Sequence, residues 1–364
     1  MCIAQGLHVA KVQNSIIAKQ DFENPCSFVA VQRILIIRFS SIGDIVLTTP
    51  VLRCLAKQFP NTELHYLTKP AFRSILEPNP YLHKVWLWED EPKEVLRLLK
   101  EQRFDLVVDL HHNLRSKWVK LALHRPSVSF NKLNVEKYLY VNLRINRLPN
   151  VHIVDRYLAT VAQLGVKNDA QGLDYFIRPE DEYDVKQLPQ SHQNGYVAVV
   201  TGALKNTKRM PEVELSEVCK RIGFPIVLLG GKAEAEFGAH IARDLGEEAY
   251  NTCGEISLGQ SASLVKQARV VLTHDTGLMH IAAAFHKPIV SIWGNTVPEF
   301  GMYPYLPLTS DQQFISQVTD LSCRPCSKIG YANCPKKHFR CMKDQDLGKI
   351  AEEVKRMFAL HPNS

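Results

Sequence analysis

No apolar run in this chain of 364 residues approaches the roughly 18 needed to cross a bilayer, so no membrane-spanning helix is expected. The first thirty residues lack a basic start followed by an apolar core, which argues against a secretory signal. Residues 1–30 are read as a poorly ordered N-terminal extension. Without an export signal the compartment is expected to be reducing. The nine cysteines are an odd number, and thiols or metal ligation fit them better than a disulfide framework. The G-x-x-x-x-G-K-[ST] spacing is missing, which excludes a Walker phosphate loop. Acids are nearly absent from one segment. Between His111 and Arg147, Glu136 stands alone against Arg115, Lys117, Lys120, Arg125, Lys132, Lys137, Arg144 and Arg147. That excess accounts for about the whole net charge of +7. It implies an anionic partner: nucleic acid, a phosphorylated or carboxylated glycan, or an anionic membrane surface. A solvated basic face is the plainer alternative.

What is present is a repeated alternation of short apolar runs and helical patterns. At 45% hydrophobic, the chain can bury a large core and has the length of two domains. Arg33–Arg38 reads as a buried parallel strand, followed by a Gly43 turn and a helical pattern through Phe59, with Thr49 as N-cap before Pro50. Strands near Glu63–Leu67 and Lys84–Trp88, a helix near Pro92–Glu101 and a strand at Phe104–Leu110 complete a first α/β unit. Residues from Gly165 to Gln193 are polar and weakly periodic, as an interdomain connection would be. The alternation restarts with strands at Tyr196–Thr201, Pro225–Leu229, Arg269–Thr273 and Pro288–Trp293. Helices are expected near Pro211–Ile222, Ala233–Leu245, Leu278–Phe285 and Asp344–Leu360. The predicted organisation is an N-terminal domain at 31–170, a linker at 171–192, a second domain at 193–343 and a C-terminal helix at 344–364. In such doubly wound sheets the ligand lies beyond the carboxyl ends of the strands.

Several segments carry chemistry there. Asp275-Thr276-Gly277-Leu278-Met279-His280 ends a strand and opens a small-residue helix. Free N–H groups and the helix dipole at such a start suit a phosphate, and His280 falls one turn in. Asp44, after Gly43, can take a proton from a hydroxyl nucleophile or can serve as a helix cap. The loop Thr201–Pro211 holds Lys205, Lys208 and Arg209; Lys208 or Arg209 can neutralise a leaving diphosphate, or the basic loop can simply face solvent. Glu234, after Gly230-Gly231, can accept from ribose hydroxyls. His111-His112-Asn113-Leu114-Arg115 follows a strand end and suits an oxyanionic sugar. Cys323-x2-Cys326-x7-Cys334-x6-Cys341, with His338 inside it, is compatible with a structural zinc, a local cross-link or unliganded packing thiols. Asp344-Gln345-Asp346 matches a metal-binding D-x-D pattern but sits where a helix cap belongs.

Together, Ile34–Asp44, Asp109–Ser116, Lys208–Pro211 and Asp275–Ala284 resemble glycosyltransferase family 9, the heptosyltransferase family of lipopolysaccharide assembly. The segments fall in the family's order and span roughly residues 31–360. The resemblance implies a GT-B fold, two Rossmann-like domains facing a central cleft. It implies an inverting, metal-independent transfer from a nucleotide sugar, typically ADP-heptose, to an anionic glycolipid of the lipid A core. It places the catalytic base on Asp44 and donor contacts on Lys208, Glu234, Asp275, Thr276, Gly277, Leu278 and His280. Acceptor contacts are expected from Ser41, Gly43, His111, His112, Asn113 and Arg115. No catalytic metal or other cofactor is expected, and no nucleic-acid partner. A cytoplasmic protein, peripheral at the inner membrane face, follows from the same resemblance. Two positions depart from the family pattern: Met210 stands where Trp is frequent, and His111 or His112 where Gln is common. Another nucleotide sugar on the same fold, a sugar-nucleotide epimerase and a nucleic-acid-binding protein are the competing readings.

Overall fold

The computed structural model describes residues 31–89, 91–306 and 312–361. The expected N-terminal extension therefore lies outside the described residues. Ile34, Leu35, Ile36 and Ile37 are buried to within 1% because their strand, β1 (Arg33–Ile37), is central and covered on both faces. It pairs in parallel with β2 (Glu63–Thr68) on one side and β4 (Leu106–Asp109) on the other, placing Ile34 opposite both Leu64 and Leu106. β3 (Lys84–Leu87) and β5 (Ser127–Ser129) complete a five-stranded parallel sheet of order β3-β2-β1-β4-β5.

A second sheet repeats the plan. β6 (Val197–Val200), β7 (Ile226–Leu229), β8 (Ala249–Asn251), β9 (Val270–His274), β10 (Ile289–Trp293) and β11 (Gln313–Gln317) take the order β11-β10-β9-β6-β7-β8, again all parallel. Each sheet winds outward, returns to its middle and winds the other way. The reversal falls between β1 and β4 in the first sheet and between β6 and β9 in the second. Loops leaving adjacent strands there diverge to opposite faces and open a crevice. The segments after β1, β4, β6 and β9 are the four singled out from sequence.

Local boundaries differ in instructive ways. The helical pattern before Phe59 is two helices, Ile42–Val46 and Thr49–Gln58, with Thr48 rather than Thr49 as N-cap. Pro50 has no N–H to give the Val46 carbonyl, and the Thr49 hydroxyl donates to it instead at 2.8 Å. The polar stretch after Gly165 is held to the sheets by ion pairs. Arg53, 1% exposed, donates to both Asp169 carboxylate oxygens, to Asp174 and to the Gly172 carbonyl. Farther on, Asp181 accepts from Ser257 and Arg178. The last helix, Leu347–Leu360, buries Ile350, Ala351, Val354, Met357 and Phe358 in the same core as β6, β7, β9 and β10. Asp346 caps it by accepting from the Lys349 N–H, while Asp344 pairs with Arg340, so the D-x-D pattern is spent on local structure. No described helix is long and apolar enough to cross a membrane.

Candidate active site

The crevice is closed by two glycines. Helix Ile42–Val46 follows β1, and helix Gly277–Ala284 follows β9. A Cβ on Gly43 would lie 2.5 Å from His280 Cδ2, and one on Gly277 would lie 2.7 Å from Ile42 Cγ2. Only glycine permits this approach, and it brings the Asp44 loop against the start of the β9 helix.

Asp44 is gripped from its own side. Its Oδ2 accepts from the Ser41 N–H (3.2 Å) and the Ser41 hydroxyl (2.8 Å), and its Oδ1 pairs with Arg38 Nη2 at 2.6 Å. Asp44 thus closes the capping box of helix Ile42–Val46 and pairs with Arg38 through the same side chain. Burial pushes the Asp44 carboxyl up, but Arg38, the two Ser41 hydrogen bonds and His280 outweigh it and hold the group below the ordinary carboxylate value. Arg38 also donates from Nε to the Ser40 carbonyl (2.7 Å) and from Nη1 to the Leu110 carbonyl (2.7 Å) and the Tyr157 hydroxyl (3.0 Å). It was missed as a site residue, although its place at the carboxyl end of a central strand was the available signal.

On the opposite wall, Asp275 Oδ2 accepts from Lys208 Nζ at 2.5 Å and from the Thr296 hydroxyl at 2.8 Å. The loop carrying Lys208 is fixed to β9 because the Met210 N–H donates to His274 Nε2 at 3.0 Å. Thr276, extended at φ −140°, is the N-cap of the next helix and makes no side-chain cap. The Thr276 side chain therefore leaves the first N–H groups, from Gly277 and Leu278, uncapped at the helix start. His280 is 2% exposed with Nδ1 unpartnered, and burial pushes its imidazole down to about 4 against the pull of Asp275 and Asp44. It is neutral at pH 7. Glu234 lies across the mouth of β6 and β7. A Cβ on Gly202 would come within 2.8 Å of its carboxyl carbon. Its Oε2 accepts from the Gly231 N–H at 3.0 Å, and its Oε1 stands 3.9 Å from Arg209.

The segment after β4 divides into structure and cleft. Asp109 is fully buried and accepts from the N–H groups of His111 and His112, the Ser116 hydroxyl and Lys120. Asn113 caps helix Leu114–Leu123 by accepting from the Ser116 N–H, and His112 Nδ1 meets the Phe130 carbonyl. These two side chains have structural partners. The His111 ring meets Phe39 edge-on at 5.4 Å, but its Nδ1 is buried and unpartnered, and burial with nearby Arg38 pushes the imidazole down to about 4. Arg115 lies 5.2 Å from the Phe39 ring centre. Arg156 also escaped the sequence reading, because nothing in its spacing marks it. It spends Nη2 on the Phe300 carbonyl, while Nε and Nη1 are buried without partners. Burial, then the charge of Arg156, pushes Lys137 down to about 8, and Asp44, Lys328 and Lys132 act on the same ammonium. Arg156, Lys132, Lys328 and Asp44 are thus within electrostatic reach of the Lys137 ammonium.

Among the described residues, Glu63, His65 and His83 bring ligand atoms within 4.8 Å of one another. The Trp86 indole donates to His65 Nδ1 at 3.0 Å, which leaves the proton of the neutral ring on Nε2. That nitrogen, 3.6 Å from Glu63, then has no lone pair for a metal.

The model of the family described as glycosyltransferase family 9 (heptosyltransferase) matches residues 93–337. The chain is 25% identical over 293 residues to lipopolysaccharide heptosyltransferase 2 of Escherichia coli, covering 74% of this chain and 84% of that one. It is 28% identical over 324 residues to lipopolysaccharide heptosyltransferase 1 of Pseudomonas aeruginosa, covering 81% and 86%. Among solved structures, the E. coli ADP-heptose lps heptosyltransferase II superposes with a TM-score of 0.70 at 21% identity, covering 90% of this chain and 99% of that one. E. coli heptosyltransferase WaaC with ADP gives 0.63 at 19% identity, covering 90% and 100%. The chain belongs to glycosyltransferase family 9, the heptosyltransferase family, and is a glycosyltransferase of GT-B fold.

Proposed function

We propose that the protein transfers heptose from ADP-heptose to a hydroxyl of an anionic lipopolysaccharide core acceptor, with inversion at the anomeric carbon. The observation that carries this reading is the placement of Asp44 directly across the Gly43–Gly277 contact from the start of helix Gly277–Ala284. The acceptor oxygen attacks the anomeric carbon, the carbon–oxygen bond to the diphosphate breaks, and ADP departs with the electron pair. Asp44 takes the hydroxyl proton as that bond forms. Oδ1, which meets only Arg38, keeps a lone pair for that proton, while both lone pairs of Oδ2 are taken by Ser41. Lys208, together with the N–H groups after Thr276, meets the charge that grows on the leaving diphosphate, in place of a divalent ion. Base and leaving group lie on opposite walls, which is the arrangement a single inverting displacement requires. Asp275 and Thr296 set the lysine, His280 supplies a neutral wall, and Glu234 is placed for the nucleoside.

The acceptor side suits an anionic lipid-linked sugar. His111 and Lys137 each lie within electrostatic reach of both Asp44 and Lys132, and Lys137 also of Arg156. Helix Leu114–Leu123 presents Leu114 (84% exposed), Trp118 (44%) and Leu121 (77%) on one stripe beside exposed Lys117. Val135, Tyr138, Leu143 and Ile145 continue the apolar exposure. Apolar and basic groups together fit an anionic membrane face, and this supports peripheral attachment at the inner membrane.

Purified protein incubated with ADP-heptose and a Kdo-bearing lipid A acceptor tests the proposal, with the product's anomeric configuration read by NMR. The opposite configuration to the donor is expected. Retained configuration, or conversion of donor with no acceptor present, would overturn it. A thermal-shift screen of ADP, UDP, GDP and CDP should favour ADP; a UDP or GDP preference would rule out the heptose donor. Leu121→Asp should weaken binding to phosphatidylglycerol vesicles, and unchanged binding would dismiss the membrane face.

A further inference from the structure

Between Val318 and Phe339 the chain forms no helix or strand, a length at which irregular backbone needs its own ordering device. Its three cysteines, together with Cys341 and His338, gather round one cavity of about 20 Å³. That is room for a single water-sized sphere. All four thiols are free, and Cys323 Sγ lies 3.8 Å from His338 Nε2. Cys326 is within electrostatic reach of Cys323 and Cys334, and Cys341 of all three. Asn295 lines the same cavity, 1% exposed, with neither amide atom partnered. The chain's own groups thus leave the Asn295 amide at this cavity unsatisfied.

We propose that Cys323, Cys326, Cys334 and Cys341 hold one thiolate-preferring divalent ion, zinc(II) or iron(II), and that this ion fixes the loop bearing Lys208. Cys-x2-Cys is the half-site spacing of tetrahedral thiolate centres, and four soft ligands select such ions. The sulfurs ring the cavity more widely than in a closed centre, since no three of them lie within 4.8 Å of one another. Ion binding therefore contracts the segment.

The contraction is transmitted by short contacts. Thr207, beside Lys208, donates its N–H (3.2 Å) and hydroxyl (3.1 Å) to the Tyr331 carbonyl and accepts the Tyr331 N–H at 2.7 Å. Gly330 packs so closely that a Cβ there would lie 2.8 Å from Lys205 Cβ. Arg324, between the first two cysteines, donates to the carbonyls of Gly294 (2.5 Å) and Thr296 (2.9 Å), and the Thr296 hydroxyl holds Asp275. The cysteine segment thus braces both members of the Lys208–Asp275 pair. This second half rests on the donor-site reading of Lys208; the metal site itself does not.

The test is metal analysis of the full chain, purified under reducing conditions without chelator and then incubated with zinc or iron(II) alone. One ion per chain is expected, released when a mercurial blocks the thiols, with four sulfur scatterers at about 2.3 Å by X-ray absorption. Binding below about 0.1 ion per chain, or a disulfide among the four cysteines by mass spectrometry, would overturn the site whatever the protein's activity. Removing the ion from the wild type, or Cys334→Ser, should raise the ADP dissociation constant about tenfold and change kcat at saturating donor much less. Unchanged ADP affinity in the metal-free chain would overturn the bracing role. If Cys334→Ser fails to fold, the wild-type analysis decides alone.

Discussion

A methyl group on Gly43 is the sharpest perturbation of the interface between the two sheets. In Gly43→Ala the new carbon would stand 2.5 Å from His280 Cδ2 and 3.2 Å from Nε2. Ordinary carbon contacts begin near 3.5 Å, so about 1 Å must be found. His280 has no room to give, because it is 2% exposed and is itself part of helix Gly277–Ala284. The alternative is for helices Ile42–Val46 and Gly277–Ala284 to part. Overpacking of this kind costs about 1–3 kcal/mol. Moving a reacting group by about 1 Å costs on the order of 100-fold in rate. Asp44, one residue on, moves with the helix. The donor wall, built from Lys208, Asp275 and Thr276, does not include Gly43. The expected result is a fall in kcat of about 100-fold, with ADP affinity by calorimetry changed less than threefold. Gly223→Ala provides a control: its φ of +63° makes alanine strained, but nothing lies within 4 Å and the position is remote. Wild-type kcat in Gly43→Ala would refute the close approach of the two walls.

Other outcomes follow from the same geometry. Arg38→Met leaves the buried Asp44 carboxylate without its charge partner, at a cost of about 3–5 kcal/mol, and raises its pKa. The acid limb of the pH–rate profile should move up, with Arg38→Lys partly restoring it; an unmoved limb would show that Arg38 does not set the carboxylate. Lys208→Met removes a charge-assisted contact to the diphosphate and should weaken ADP binding about 10- to 100-fold by calorimetry. Burial pushes His65, His274 and His280 down to about 4 from an ordinary 6.5, so each binds a proton more readily unfolded than folded. Their stabilising contribution is complete above about pH 6.5 and is lost as pH falls toward 4. The urea midpoint should drop across that window, and a midpoint constant from pH 7 to 5 would contradict the buried neutral histidines.

The sequence was most legible where one physical rule acted alone. Short, continuous runs rich in β-branched residues, such as Ile34–Ile37 and Val197–Val200, read as strands buried on both faces, and they are. The Asp275–His280 segment is legible because a strand leading into a small-residue helix leaves few alternatives. Short edge strands escaped: Ser127–Ser129 and Ala249–Asn251 have no apolar run, and pairing with β4 and β7 alone defines them. The helices Leu114–Leu123 and Ile153–Val161 were also passed over, the first because its exposed leucines blur the amphipathic period. Candidate residues that the fold brings to the crevice were legible when they fell in a motif at a strand end. Arg156 and Thr296 join the site only through folding. Asn113 illustrates the converse, since a side chain in a cleft-facing motif turned out to be a helix cap.

Asp44→Asn tests the central claim most directly. The amide keeps the size of the carboxylate and can still accept from Ser41, so the donor wall is undisturbed. Transfer of heptose from ADP-heptose to the lipid A core acceptor should fall by at least about 1000-fold, while the ADP dissociation constant stays within threefold of wild type. Transfer at close to the wild-type rate, with donor binding intact, would contradict Asp44 as the base and with it the proposed division of the cleft.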